Sequence, residues 1–335
     1  MNLEDKIQIV KDQLKDKKVA IGFSGGADST LIAYLSSKVA ENTLAITIDN
    51  HIMPTGFIKH AKEVCSLFKI QHEIIDINFY DDEEFLKNDS KRCYNCRNMM
   101  YSKIIETAQK NGFDYICDGN NISDLISDRP GILITYGKNF NTPLIEARLT
   151  SKEIHEYLEE NNIPYSKSTT CLATRIPTNT PTTKEKIERI GKCEDYISAN
   201  TNCKIVKVRD FKEVCLCEVD DIDEILCENK FKQINDALKS YGCKKVALNL
   251  TPIDDNEFIS LSYENGSFSH ELPFTINLEN TKNNFEKIKS VNPKEITIGN
   301  ITINENGLIK GNNFRDYESA LEEFMEILPK IRRNI

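Results

Sequence analysis

The chain predicts an α/β protein: a parallel sheet with helices on both faces, followed by a smaller α+β domain and a C-terminal extension. Three observations carry that reading. Over residues 3–160, short apolar runs of strand composition alternate with segments of helical period. Strands separated by helices of that length pair in parallel and are covered on both faces. A stretch rich in Pro, Ser and Thr, 163–181, then interrupts the alternation and reads as a long loop or linker. From about Asp254 the composition shifts again, toward Asn, Glu, Lys and Ile. The expected division is 1–165, 166–253 and 254–335, which suits a chain of 335 residues.

Residues 3–17 set Leu3, Ile7, Val10 and Leu14 on one helical stripe. Strands are expected at 19–23, 44–48, 73–77 and 114–117, with a short fifth at 142–145. Between them, 56–68 and 96–109 carry helical spacing, the second stopped by Gly112. Thr150-Ser151-Lys152-Glu153 opens a helix that runs to Glu160. Beyond the linker, a helix over 183–199 precedes paired alternating strands at 205–209 and 213–219. Helices at 222–227 and 231–241 and a strand at 245–250 complete that unit. In the extension, 274–278, 295–298, 301–303 and 308–310 read as strands, and 317–331 as an amphipathic helix. Ligands on a parallel sheet sit beyond the carboxyl ends of its strands. That rule gathers 24–29, 49–55, 118–129 and the segment near Glu146 into one place.

Composition narrows the function. The chain is 39% hydrophobic and 28% charged, ordinary for a globular protein. No apolar run reaches bilayer length, and the polar start Met1-Asn2-Leu3-Glu4-Asp5-Lys6 lacks a signal-peptide core, so a cytoplasmic protein without membrane contact is expected. A net charge of −9 disfavours gripping nucleic-acid backbone as the main task. Eleven cysteines in a reducing compartment are expected as buried thiols, metal ligands or catalytic groups, not disulfides.

The most informative stretch is Ser24-Gly25-Gly26-Ala27-Asp28-Ser29, set between an apolar strand and an apolar helix. Glycines let backbone approach a ligand closely, and free N–H groups at a helix start hold phosphate. The loop lacks the spacing and closing lysine of a Walker A motif. A plain Gly turn capped by Ser24 or Asp28 is the competing reading.

The cysteines divide by context. Cys93-Tyr94-Asn95-Cys96 precedes the 96–109 helix. One such pair leaves a redox site, half a zinc site and two iron–sulfur ligands all open. Cys203, Cys215, Cys217, Cys227 and Cys243 read as small apolar core residues, Cys65 and Cys117 likewise, and Cys193 as structural. Cys171 instead stands in a loop between Lys167 and Arg175, where positive charge favours thiolate. His51, after the second strand, reads as an exposed loop histidine.

The 24–29 loop resembles the SGG-x-DS signature of the PP-loop ATP pyrophosphatase superfamily, whose members split ATP into AMP and pyrophosphate. The resemblance implies that Ser24, Gly25, Gly26 and Ser29 cradle the pyrophosphate portion and that Asp28 orients the loop or helps hold Mg²⁺. Four further segments are similar to the LarE-type ATP-dependent sulfur transferases. Cys171-Leu172-Ala173-Thr174-Arg175-Ile176-Pro177, with Thr180-Pro181-Thr182, resembles Cys-Leu-Ala-Ser-Arg-Ile-Pro-Tyr-Gly-Thr-Pro. Arg92-Cys93-Tyr94-Asn95-Cys96 resembles Arg-Cys-Tyr-x-Cys-Lys. The run from Asp118 and Gly119 to Arg129-Pro130-Gly131 resembles Asp-Gly-x-Asn-x-Asp-Asp…Arg-Pro-Gly, and 143–154 resembles Pro-Leu-x-Glu-Ala-Gly-Leu-Thr-Lys-x-Glu-Ile. The similarity runs in order over 5–252 and stops there. One departure is Lys207-Val208-Arg209-Asp210-Phe211, where the family often has Arg-Val-Arg-His-His; positive charge stays, the histidines do not.

The resemblance implies a PP-loop fold of the HUP kind and sulfur insertion during nickel-pincer cofactor synthesis. ATP adenylates a carboxylate on a nicotinate-derived mononucleotide, and sulfur then displaces AMP. Asp28, Cys171 and Arg209 form the implied catalytic set, and Asp118, Gly119 and Arg129 join the loop at ATP. Members with three cysteines carry a [4Fe–4S] cluster; here these are Cys93, Cys96 and Cys171, leaving one iron free for sulfide. Members with the loop cysteine alone sacrifice its sulfur. The implied partners are a small nucleotide substrate and further copies of the chain. Three rivals use the same residues differently: a tRNA thiolase, an amide-forming PP-loop ligase with structural cysteines, and a nucleotide-sensing iron–sulfur scaffold.

Overall fold

In the computed structural model, residues 1–166, 170–227, 229–254 and 259–334 are described. The first helix, α1 (Leu3–Leu14), buries the expected stripe of Ile7, Val10 and Leu14, and Asn2 caps it by accepting from the Asp5 N–H at 2.8 Å. The alternation that follows is β1 (Lys18–Gly22), α2 (Ala27–Val39), β2 (Asn42–Asp49), α3 (Phe57–Phe68), β3 (Gln71–Asp76), α4 (Glu83–Lys87), α5 (Arg92–Lys110) and β4 (Tyr115–Cys117). Three helices then close the first unit: α6 (Ile132–Gly137), α7 (Pro143–Glu146) and α8 (Ser151–Glu160).

The sheet order is β3-β2-β1-β4, parallel throughout. Both faces are buried, which explains why its strands read as unbroken apolar runs. Val19, Ile21 and Phe23 pack against α1, α2 and α8 on one face. Ala20, Leu44, Ile46 and Ile48 pack against Tyr101, Ile104 and Ala108 of α5 on the other.

Two expectations for this unit are corrected. Residues 142–145 are not a strand: Pro143 starts α7, and only Asn141 bridges to Cys117. Proline has no N–H to give a ladder, and its fixed φ suits a helix start. The helix expected at 96–109 begins at Arg92, so Cys93 and Cys96 lie within its first two turns and do not precede it.

The second unit holds α9 (Lys184–Asn200), β5 (Val206–Phe211), β6 (Val214–Val219), α10 (Asp223–Leu226), α11 (Lys230–Ser240) and β7 (Lys245–Leu248). β5 and β6 are antiparallel, and β7 joins β6 in parallel. Here the expectation of thiols without disulfides fails. Cys215 on β6 and Cys243 just before β7 are bonded, their Cα atoms 5.8 Å apart across neighbouring strands. Cys193 and Cys217 remain buried thiols, as expected, but Cys227 is exposed and Cys203 half-buried. A short helix end and a loop hold those two, leaving them outside the strand alternation that buries Cys215 and Cys217.

The extension is an antiparallel sheet with two helices: β8 (Ser262–Glu264), β9 (Ser267–Glu271), α12 (Leu278–Lys282), β10 (Ser290–Asn292), β11 (Glu295–Ile298), β12 (Ile301–Asn304), β13 (Leu308–Gly311) and α13 (Tyr317–Ile327). Its strand order is β10-β11-β12-β13-β9-β8. Residues 274–278 are not a strand. Asn277 caps α12, and Ile276 makes only an isolated bridge to Arg333. The last helix stops at Ile327, where Leu328-Pro329 turns into a 3-10 turn, because proline cannot continue the hydrogen-bond ladder. The core of the extension is continuous with the first unit: Ile122, Leu125, Ile132 and Ile145 pack among Leu272, Phe268, Phe324, Ile327 and Ile331. Among the described residues, no helix is long and apolar enough to cross a membrane.

One buried ion pair fastens α1 to α8. The Lys6 ammonium donates to Glu153 at 2.7 Å and to the Arg148 carbonyl at 2.8 Å, and Glu153 also closes the capping box with Thr150. Removing one partner of a buried pair strands the other charge. Glu153→Ala is therefore expected to destabilise the fold by about 3 kcal/mol in urea unfolding, well beyond the loss of one helix cap.

Candidate active site

β1 delivers the chain into the glycine loop at the carboxyl edge of the sheet. Gly25 holds φ +72°, and a Cβ there would lie 3.0 Å from the His60 ring on α3. His60 Nε2 also meets the Gly25 carbonyl at 3.3 Å. Gly26 is the N-cap of α2, and no side chain caps that helix. The reading of a plain turn capped by Ser24 or Asp28 therefore fails, and the first-turn N–H groups keep their anion-binding character. The two hydroxyls close the loop on itself instead: Ser24 Oγ and Ser29 Oγ are 3.2 Å apart, and the Ser24 N–H donates to Ser29 Oγ at 3.2 Å.

The turn after β4 comes up against this loop. A Cβ on Gly119 would stand 2.9 Å from the Ser29 nitrogen, so only glycine allows the approach. Asn121 then donates its amide to Asp28 at 2.9 Å. Asn121 and Asp124 also form a capping box on the 3-10 turn Ile122–Ile126, and Arg129 is paired with Asp124. Burial, then the Asp124 charge, pushes the Asp28 carboxyl up to about 7. Two carboxylates close enough to repel at an anion loop could hold a divalent cation such as Mg²⁺.

Asp118 is placed differently from its expected contact with ATP or Mg²⁺. It is buried, and its Oδ2 accepts from Tyr101 at 2.7 Å, Thr135 at 2.8 Å and Arg97 at 3.4 Å, while Oδ1 accepts from the Asn120 N–H at 3.0 Å. It braces the turn from below. Arg129 does reach the site, through Asp124.

The three cysteines come from two segments that the fold draws together. Cys93 and Cys96 sit in the first two turns of α5, and Cys171 is the N-cap of the 3-10 turn Leu172–Arg175. That turn is pinned on several sides. The Leu172 N–H donates to the Ile52 carbonyl at 2.8 Å, and Thr174 bonds the Cys171 carbonyl from both its N–H and its hydroxyl. Arg92 reaches from α5 to the Ala173 carbonyl at 2.8 Å and to Cys93 Sγ at 3.4 Å. The segment leading to Cys171 crosses the glycine loop, where the Ser166 N–H donates to the Gly25 carbonyl at 2.8 Å. Cys96 and Cys171 border an apolar cluster of Ile52, Phe79, Phe85, Leu172 and Ile176.

The expected thiolate at Cys171 is corrected by this setting. Burial pushes the Cys171 thiol up, and Arg92 offsets that more than Arg175 does. Arg175 is spent elsewhere: it is buried and pairs with Glu194 at 2.8 Å, whose carboxylate also takes the Val208 N–H at 2.9 Å. Lys167 lies outside the described residues. Cys96 is also raised, by burial and then by Cys171 and Cys93, so the sulfurs are near enough to feel one another. They are nonetheless not within 4.8 Å of one another as a group. Among the described residues, the candidate ligand trio that is so close is Asp49, His51 and Asp76. A single tetrahedral zinc, with Zn–S of roughly 2.3 Å, draws sulfurs closer than that.

Arg209 sits on β5, paired with Glu218 at 2.6 Å and donating to the Thr174 carbonyl at 3.4 Å. It fastens the small domain to the cysteine turn. His51 is exposed, as expected, and pairs with Asp76 at 2.9 Å. Sequence reading gave no role to Asn121, Asp124 or Arg92, which lie inside the motifs it matched, and passed over His60. The first two carry a legible signal: Asn and Asp three residues apart at a helix start form a reciprocal cap. His60 carries none, because only the fold brings α3 against Gly25.

The PP-loop domain family matches residues 1–128. An uncharacterized protein of Methanocaldococcus jannaschii is 31% identical over 72% of this chain and 92% of its own length. The pyridinium-3,5-bisthiocarboxylic acid mononucleotide synthase of Lactiplantibacillus plantarum is 24% identical over 71% of this chain and 87% of its own. A probable sulfurtransferase of M. jannaschii is 26% identical over 47% of this chain and 55% of its own. The chain belongs to the PP-loop family of ATP-dependent sulfur transferases of the LarE type.

Two expectations follow from the loop. Gly25→Ala forces a side chain into the left-handed region and against His60, and is expected to weaken ATP binding at least about tenfold by calorimetry while the fold survives. For Asp28, the folded carboxyl titrates near 7 instead of its ordinary 3.8. The folded state then holds a proton that the unfolded chain has lost. Its stabilising contribution is complete below about pH 4 and disappears as pH rises toward 7. Asp28→Asn should raise stability on the order of 2 kcal/mol at pH 8 and by little at pH 4, while abolishing ATP cleavage.

Proposed function

We propose that this enzyme uses ATP to adenylate a carboxylate of a pyridinium mononucleotide and transfers sulfur to it from a [4Fe–4S] cluster on Cys93, Cys96 and Cys171. The observation that carries the proposal is the convergence of those cysteines beside the segment that crosses the glycine loop. Arg92 and Arg175 hold the two cysteine-bearing elements in place.

The donor set suits the cluster. Three neighbouring thiols, two of them raised chiefly by burial, spaced wider than one ion takes them, with an arginine at one sulfur and an apolar wall, suit a polynuclear centre of net negative charge. When bound, the cluster would supply a sulfur nucleophile at its one iron without a protein ligand. The L. plantarum relative is named for a bisthiocarboxylic acid product, which fits carboxylate-to-thiocarboxylate exchange.

The chain's own residues do the rest. The α2 N-terminus, Ser24 and Ser29 take the β- and γ-phosphates, so that a substrate carboxylate oxygen attacks the α-phosphorus and pyrophosphate departs onto N–H groups already aimed at it. Asp28 and Asp124 would hold Mg²⁺ there. The acyl adenylate then presents AMP as a good leaving group where a carboxylate oxygen was a poor one. Sulfide-level sulfur, as HS⁻, attacks the acyl carbon, the acyl C–O bond breaks with its electron pair leaving on AMP, and a thiocarboxylate and a proton remain. Arg209, tied to Thr174 and Glu218, keeps the cysteine turn registered to the small domain. That domain shows Phe211 and Leu250 to solvent, apolar surface suited to a homo-oligomer.

Anaerobic purification with iron and sulfide analysis tests the reading. About four irons per chain and a broad visible absorption are expected, lost in Cys93→Ala, Cys96→Ala and Cys171→Ala. A colourless protein holding one zinc, or full sulfur transfer by the triple variant, overturns it. Sulfur transfer to tRNA instead of a small carboxylate overturns the substrate assignment.

A further inference from the structure

The extension folds back onto the nucleotide side of the first unit, and its far end makes the closest polar contacts. Arg332 lays its guanidinium 3.9 Å over the Tyr136 ring of α6. Arg333 lies 4.5 Å from the Phe274 ring and pairs with Asp128 at 2.7 Å. The Arg333 side chain is only 10% exposed, whereas Asp128 is 63% exposed. Arg333 Nη1 is buried with no hydrogen-bond partner among the described residues, so its charge leans on Asp128. The backbone fixes the arginine too: Ile276 bridges to Arg333, and the Asn334 N–H donates to the Thr275 carbonyl at 2.9 Å. A second tie joins Arg148, before α8, to Glu326 of α13 at 3.4 Å.

Asp128 immediately precedes Arg129. Arg129 pairs with Asp124, and Asp124 shares its turn with Asn121, which bonds Asp28 of the glycine loop. On the apolar side, Ile122 and Leu125 of the same turn are packed into the core of the extension.

We propose that the extension is a clamp on the ATP site, with Arg333 as its positioning residue. By gripping Asp128 it fixes the 128–129 corner, which keeps Arg129 on Asp124 and Asp124 beside Asp28. Exposed ion pairs are worth little because both side chains are free to wander. Here one partner is immobilised by the Phe274 ring and a backbone bridge, so the pair transmits position. Arg333 touches no nucleotide; it acts through Asp128 and Arg129.

The test is calorimetric titration of the full chain with MgATP, alongside thermal melts. Asp128→Ala removes the exposed partner and leaves the interior packed. It is expected to weaken MgATP binding by about threefold to tenfold and, because Arg333 is then left buried without its partner, to lower the melting temperature while the chain stays folded at the titration temperature. Arg333→Ala should weaken binding to a similar degree. The double variant should bind no worse than the weaker single one, because both break one link. Arg333→Lys, which still reaches Asp128, should recover most of the affinity. Wild-type MgATP affinity in Asp128→Ala overturns the proposal, as does full additivity in the double variant. Because the readout is nucleotide binding, it stands or fails independently of the cluster and of the sulfur acceptor.

Discussion

The close approach of two turns, one after β1 and one after β4, is the constraint on which the site depends. These strands are neighbours in the order β3-β2-β1-β4, and the chain leaves β1 toward one side of the sheet and arrives at β4 on the other. A crevice opens at the carboxyl edge where such an order reverses. Gly119 lets the second turn press against Ser29, and Asn121 then bonds Asp28. With either residue enlarged or lost, the anion loop would have no fixed back wall. Asp118, saturated by Tyr101, Thr135, Arg97 and Asn120, keeps the second turn from spreading.

Charge is arranged around that crevice at some energetic cost to the empty protein. A carboxyl held near pH 7 and thiols held above their ordinary range are groups whose charged forms burial leaves poorly solvated, with nearby arginines offsetting only part of that. The buried Arg175–Glu194 pair and the Arg92 fork, by contrast, are already satisfied, and they belong to the scaffold that holds the reactive groups apart. Sites of this kind trade stability for readiness.

Much of this was legible in the sequence, and the failures have physical reasons. The four buried strands of the first unit announce themselves because both faces are apolar and their crossings are helical. The glycine loop reads from its residues alone. The supposed strand at 142–145 misled because a short apolar run has no period; Pro143 decided for helix. In the extension, β8 and β9 went unread although Asn265-Gly266 lies between them, both at positive φ, the usual signal of a tight hairpin. Their strands carry Ser, Glu and His where alternation expects apolar residues. The role of Arg175 was unreadable, since its partner Glu194 lies on a helix the linker brings back in space. Neighbouring strands likewise decided the Cys215–Cys243 bond, which spacing along the chain does not reveal.

The shared core of the extension and the 122–132 segment also bears on the order in which the molecule is made. Domains generally fold as units, the N-terminal one first, while the chain is still being synthesised. Here the strands around the glycine loop emerge early, yet Ile122, Leu125 and Ile132 wait for Phe324, Ile327 and Ile331 to cover them. A nascent chain can thus display its nucleotide motif long before the turn behind it is sealed, and the ribosome must release the chain as far as Ile331 before that motif becomes a finished site.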